Sequence, residues 1–237
     1  MSGHGQLALP FALGDKSSFD NFWVGHNLEA VAAVKSCVTA DQANVIYLYG
    51  AEGAGKSHIL FAAARMASDQ NKICSYLSLT DPQFRHPDKA TALLEMVNVA
   101  NIVCVDNVEG WAGESERERA LFALFEQIRH ARGRLIVAGR RAPENLGLKL
   151  VDLISRLSSG LVYPIQGLGD EQFFEALKLR ASARGLTIAD DVVKYLISRS
   201  TRSAVELFEL LDSIDKASLI EKRRITIPFL QQFLKSH

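Results

Sequence analysis

Residues 50–57 read GAEGAGKS. This places Gly50, Gly55, Lys56 and Ser57 in the register G-x-x-x-x-G-K-[ST] of a phosphate-binding loop. Each residue type has a chemical reason to be there. Glycines let backbone N–H groups converge on a β-phosphate, and the N-terminus of a following helix adds its positive end. Lys56 would bridge phosphates and Ser57 would ligate Mg²⁺. The flanks pass the context test, since the apolar run NVIYLY (44–49) precedes the loop and SHILFAAARMAS follows it. Downstream, NIVCVDN ends another apolar run on Asp106, where a Mg²⁺-side carboxylate is expected. The plainer alternative for Asp106 is a turn residue at a strand end. Asn107 then occupies the position where active ATPases of this type often carry a carboxylate that activates water. An amide is no general base, so intrinsic ATPase activity is expected to be weak or absent. Glu109 follows two residues later, with no direction assured by alternation along a strand end.

Arginines that face phosphate are the next candidates. Arg156 lies in LVDLISRLSSG, at the end of a helix predicted to stop at Gly160. It reads equally as a cation at a helix C-terminus or as a phosphate contact. Arg140 and Arg141 follow the fourth apolar run, and Arg202 opens a later helix.

The elements that must carry these residues are legible in the patterning. NVIYLY (44–49), ICSYLSL (73–79), NIVCVD (101–106), RLIVAG (134–139) and LVYPIQ (161–166) are nearly continuous in apolar character, as parallel strands covered on both faces must be. Between them, ERERALFALFEQIRHARG places Leu121, Leu124, Phe125 and Ile128 on one helical face. Ser115 and Glu118 show a capping-box spacing at its start. The alternation predicts an α/β fold, a parallel sheet flanked by helices. From about residue 168 the strand signal stops. DEQFFEALKLRASARG, with Asp170 as candidate N-cap and Gly185 as stop, is followed by DDVVKYLISRS, SAVELFELLDSIDKASLIEK and TIPFLQQFLKS, a small all-helical module. The expected organisation is a tail over 1–14, a nucleotide-binding α/β domain over 15–167 and a helical domain over 168–237.

Composition narrows the function. Lys+Arg and Asp+Glu are balanced at 27 each, without the basic excess of a domain whose main task is to grip duplex DNA. DNA is therefore expected to be contacted only indirectly. Cys37, Cys74 and Cys104 have no metal-ligand spacing and read as core residues of a reducing compartment. No apolar run approaches ~18 residues, so no membrane association is expected. The N-terminal QLALPF (6–11) has no basic stretch before it, a proline inside it and no small-x-small cleavage site, unlike a secretory signal. A cytoplasmic protein is expected. QLALPF is either a first core strand or a hook for another protein.

SSFDNFWVGHN (17–27), the phosphate loop, DNVEGWAG (106–113), LISRLSSGL (153–161) and the four-helix module together resemble the AAA+ domain of the bacterial replication initiator DnaA, over roughly 15–237. Two features differ. The chain ends at His237, without room for the family's basic helix-turn-helix domain, and it begins with the short QLALPF tail. That combination is similar to DnaA-homologous regulators that act with the DNA-loaded sliding clamp to promote hydrolysis of DnaA-bound ATP. The resemblance implies an AAA+ nucleotide-binding domain with a helical lid, binding ADP or ATP with Mg²⁺. It also implies a negative regulator of replication initiation, working at the nucleoid or replisome.

Residue by residue, the resemblance places Phe19, Phe22, Trp23 and Val24 against the nucleotide base. It places Gly50, Gly53, Ala54, Gly55, Lys56, Ser57, His58 and Asp106 at phosphates and metal. Arg156 matches the family's arginine finger, which acts in trans on nucleotide held by a neighbour. Gln6, Leu9 and Phe11 match Q-x-x-L-x-F, the spacing of peptides that bind the DNA polymerase sliding clamp, and an extended segment with Gln and alternate apolar anchors suits surface pockets. The lid sensor arginine of the family falls near Val205, with Arg202 one turn earlier as its substitute. Arg140 stands at the fourth-strand sensor position where an acidic residue is usual. AAA+ neighbours pack side by side, so a homodimer or larger oligomer is an open expectation. The alternative reading is an autonomous AAA+ ATPase such as a helicase or clamp loader.

Overall fold

The computed structural model describes residues 17–40, 45–84, 102–199 and 204–236. All five expected strands form, as β1 (Val45–Tyr49), β2 (Cys74–Ser78), β3 (Ile102–Asp106), β4 (Arg134–Gly139) and β5 (Leu161–Pro164). They make one parallel sheet in the order β2-β3-β4-β1-β5. Burial follows that order. Every residue of β3 and β4 is buried, and so are the three central residues of β1, while the edge strands β2 and β5 are mostly half-buried or exposed. Strands sandwiched between helices need apolar side chains on both faces, which is why the inner three read as unbroken apolar runs.

Around the sheet are α1 (Leu28–Thr39), α2 (Lys56–Asp69), α3 (Ser115–His130) and α4 (Val151–Ser158). Helix α2 buries Ile59, Leu60, Ala62, Ala63, Ala64 and Ala67; its alanines keep helix propensity high while adding little bulk. Helix α3 buries the predicted face, Leu121, Leu124, Phe125 and Ile128. With Trp111, Val103, Val105, Val137, Leu153 and Leu157 it forms the main core on that side of the sheet.

Two short-range contacts fix where the strand ends and helix starts fall. The Tyr47 hydroxyl donates to the Arg141 carbonyl at 2.9 Å. A Cβ at Gly139 would lie 2.3 Å from that hydroxyl, so the path of the phenol requires glycine there. Buried Asn27, just before α1, forms a two-way amide clip with Gln166: its Nδ2 donates to the Gln166 carbonyl at 2.9 Å and its Oδ1 accepts the Gln166 N–H at 2.8 Å.

The start of α3 is built differently from the expected capping box. The N-cap is Glu114 and no side chain caps the helix. Glu118 is fully buried. Its Oε1 accepts the Gly113 N–H at 2.7 Å, and its Oε2 accepts the N–H groups of Lys149 at 2.9 Å and Leu150 at 2.7 Å. Three otherwise unsatisfied amides offer the carboxylate more than one helix-terminal N–H would.

Contacts divide the chain into two units. One holds Phe19 and His26–Gln166, and the other holds Asp20–Gly25 and the chain from Gly167 onward. The second unit contains α5 (Asp170–Ser182), α6 (Asp190–Arg199), α7 (Ala204–Glu221) and α8 (Ile227–Ser236). Its core is built by Phe173, Leu177, Val193, Leu211, Phe229 and Leu230. Asp170 is the first residue of α5 rather than its N-cap: Gly169 takes that place, its N–H donating to the Gln172 Oε1 at 3.0 Å. Gly185, at φ +71°, follows the helix as expected of a stop. Among the described residues no helix is long and apolar enough to cross a membrane.

Replacing Glu118 by alanine would leave three amides without an acceptor, at a cost of about 3 kcal/mol or more. Urea denaturation of Glu118→Ala is expected to show an unfolding free energy lowered by that amount and a correspondingly lower midpoint, with Glu114→Ala close to the parent chain.

Candidate functional site

The phosphate loop, Asp106 and Arg140 sit at the carboxyl ends of β1, β3 and β4, where open parallel sheets place their ligands. Gly50 follows β1, and a Cβ on it would lie 2.3 Å from the Ile165 carbonyl oxygen, so the loop leaves the sheet by direct backbone packing. Gly53 (φ +76°) and Gly55 (φ +100°) adopt the left-handed conformation that glycine alone takes readily. Gly55 is the N-cap of α2, and no side chain caps that helix. Its first-turn N–H groups are therefore left for an anion.

Lys56 is buried, and its ammonium donates to the carbonyls of Gly50 at 2.7 Å and Ala51 at 2.8 Å. Burial pushes its pKa down, while the charges of Glu109 and Asp106 act in the opposite sense. Ser57 is exposed beside it. The His58 ring is engaged elsewhere, with Nε2 2.9 Å from the Ser18 carbonyl.

Asp106 is 1% exposed at the tip of β3. Its Oδ1 accepts the Asn107 N–H at 2.9 Å and its Oδ2 accepts the Tyr76 hydroxyl at 2.7 Å. Each oxygen keeps a second lone pair for a metal-bound water. Tyr76 comes from the neighbouring strand β2 and stacks on Phe61 of α2, with ring centroids 4.3 Å apart. Burial raises the Tyr76 phenol pKa well above its ordinary value, and the charge and hydrogen bond of Asp106 raise it further. Asn107 sits at φ +56° and its amide donates to the Ser78 Oγ at 3.1 Å.

Glu109 has a definite direction in the folded chain. One oxygen accepts the Arg140 N–H at 3.2 Å and the other pairs with the Arg140 Nε at 3.2 Å. Arg140 Nη2 also pairs with Glu52 of the phosphate loop at 2.9 Å. Arg140 thus links the ends of β3 and β4 to the loop after β1. Arg156, in the last turn of α4, pairs through Nε with Glu126 of α3 at 3.0 Å, and its side chain is 44% exposed.

The aromatic residues are distributed differently. Phe19 belongs to the sheet unit, beneath the Lys35 ammonium at 5.0 Å from its ring centre. Phe22, Trp23 and Val24 belong to the helical unit. Phe22 is buried, and the buried Trp23 Nε1 has no hydrogen-bond partner among the described residues. Val205, in the first turn of α7, is exposed. Gln6, Leu9, Phe11 and Arg202 lie outside the described residues. Among the described residues no cage of three or more His, Cys, Asp and Glu gathers for a metal. The Ser57–Asp106 pair suits a cation held mainly by phosphates and water.

Sequence reasoning does not reach Tyr76, Glu52 and Glu126, and it gives Glu118 only a capping role. The partner of each is remote in sequence, or is a backbone amide that no motif marks.

A phosphate loop after β1, a carboxylate at the tip of β3, this strand order and a four-helix module define an AAA+ fold. The profile of the bacterial DnaA ATPase domain matches residues 13–164, and that of the Hda lid domain matches residues 170–234. The chain belongs to the DnaA-type AAA+ family, with a lid of the Hda type. Among solved structures, the AMPPCP-bound DnaA of Aquifex aeolicus is 25% identical, with a TM-score of 0.70, 84% of this chain covered and 65% of that one. Domain III of DnaA from Thermotoga maritima shares the fold at TM-score 0.77 and 18% identity, covering 93% and 96% of the two chains. The Thermotoga maritima RuvB Holliday junction branch migration motor shares it at TM-score 0.65 and 17% identity, covering 93% and 72%. This chain spans just under two thirds of the Aquifex chain it matches.

Tyr76→Phe keeps the stacking ring and removes the donor from buried Asp106. A loss of about 1–2 kcal/mol is expected, read as a lower urea midpoint; in an Asp106→Asn background the same substitution should cost less.

Proposed function

We propose that this protein is a nucleotide-bound regulator of replication initiation that stimulates hydrolysis of ATP held by DnaA. The observation that carries the reading is the joining of a DnaA-type body and an Hda-type lid to an exposed arginine on α4. The geometry of the loop suits ADP or ATP. Backbone N–H groups of 53–58 would hold the β-phosphate, and Lys56 would exchange its two carbonyl partners for phosphate oxygens. Ser57 and Asp106 would hold Mg²⁺, which when bound neutralises phosphate charge. Phe19, Phe22, Trp23 and Val24 are the proposed contacts to the base, with Arg202 of the lid at the phosphates. The protein itself is expected to hydrolyse ATP slowly, because the residue after Asp106 is an amide already engaged by Ser78.

Hydrolysis on the partner would come from Arg156 acting in trans. A guanidinium brought to the transferring phosphoryl stabilises its developing charge and is worth ~10³–10⁵ in rate. Gln6, Leu9 and Phe11 would dock on the sliding clamp, raising the local concentration of the protein beside newly replicated DNA.

Two measurements test this. DnaA-bound ATP should be hydrolysed faster when the protein and DNA-loaded clamp are both present, and Arg156→Ala should remove on the order of 10³-fold of that stimulation. Unchanged stimulation by Arg156→Ala would reject the finger, and rapid ATP turnover by the purified chain alone would favour an autonomous ATPase. Separately, Gln6→Ala with Leu9→Ala is expected to abolish capture by immobilised clamp; retained capture would reject the tail.

A further inference from the structure

Arg156 is held by a two-step relay on the surface of the sheet unit. Glu126, on α3, divides its carboxylate between two arginines. Its Oε2 accepts hydrogen bonds from Arg129 Nε at 3.1 Å and Nη2 at 2.7 Å, while its Oε1 faces Arg156 Nε at 3.0 Å. Arg129 lies three residues along α3 from Glu126, on the same helical face. The hydrogen bond and charge of Arg129, with the charge of Arg156, hold the Glu126 carboxyl below its ordinary pKa, so it stays ionised.

The atom through which Arg156 is held matters. A guanidinium has five N–H donors in a rigid fork. The ion pair is made at Nε, which leaves the terminal Nη pair for another acceptor. Arg156 lies on the exposed stripe of α4 with Val151, Asp152 and Ser155, opposite buried Leu153 and Leu157, and its side chain is 44% exposed. Two guanidinium charges against one carboxylate leave the trio with a net positive charge, so Glu126 orients the arginine without neutralising the site. The base of α4 is fixed independently by Glu118 on the same helix α3, through the N–H groups of Lys149 and Leu150. Helix α3 therefore contacts both the start of α4 and the arginine in its last turn.

We infer that Glu126, oriented by Arg129, is the positioning residue for Arg156, presenting its terminal nitrogens to a phosphoryl group held by a neighbouring molecule. The inference rests on the reading of Arg156 as a finger in trans. A flexible arginine must give up rotamer freedom to reach a transition state, and prior restraint lowers that cost.

The test is hydrolysis of DnaA-bound ATP with DNA-loaded clamp, measured across concentrations of full-length parent, Glu126→Gln, Arg129→Gln, Arg156→Ala and the Glu126→Gln/Arg156→Ala double variant. Glu126→Gln is expected to lower the maximal rate by about tenfold while the half-saturating concentration stays within about twofold, and Arg129→Gln should move the rate in the same direction. In the Arg156→Ala background Glu126→Gln should have no further effect. A parent-like maximal rate for Glu126→Gln beside a strong loss in Arg156→Ala overturns the positioning role. Equal losses from Glu126→Gln with and without Arg156 also overturn it, since they mark a structural effect. A parent-like rate for Arg156→Ala overturns the finger reading itself. If Glu126→Gln unfolds, as thermal melting would show, Arg129→Gln alone decides by the same criteria.

Discussion

Glu118 has no access to water, and both its oxygens are spent on backbone amides from two separate stretches of chain. A buried carboxylate is tolerable only when it is so fully matched. That requirement constrains more than its own surroundings. It fixes the start of α3, draws Lys149 and Leu150 against it, and so decides where α4 departs from the sheet unit. The residues of α4 that face solvent, Arg156 among them, are placed by a demand for hydrogen bonds in the interior.

The strand ends obey a related logic with different partners. Asp106, Arg140 and the phosphate loop lie at the carboxyl ends of adjacent strands, so the parallel sheet gathers residues far apart in sequence. Charges there are arranged in matched groups. Tyr76 and the Asn107 N–H satisfy Asp106, and Glu52 and Glu109 flank Arg140. Lys56 rests on loop carbonyls that an anion can replace. For the proposed nucleotide role, charges matched in this way limit the reorganisation that binding would require.

Much of this fold is legible in the residues alone. The five strands are readable because inner parallel strands must be apolar on both faces, and the loop is readable because phosphate demands glycine, lysine and serine at fixed spacing. The four lid helices declare themselves by period. What escapes is pairing at a distance. Ser115 and Glu118 have the spacing of a capping box, yet the carboxylate finds better donors 31 and 32 residues away. Tyr76 is an ordinary strand aromatic until the sheet order sets β2 beside β3. Glu126 is one acidic residue among several on α3, and only the approach of α4 reveals its second partner. Motifs encode what the chemistry needs locally; they do not encode which neighbour completes it.

The amide clip between Asn27 and Gln166 has a topological consequence. The chain passes from the sheet unit to the helical one just after Gln166, and returns to it just before Asn27, from the segment Asp20–Gly25. The clip joins buried Asn27 to Gln166 and so closes a loop that spans nearly the whole of the sheet unit. A shift at either end of that loop is felt at the other through two hydrogen bonds.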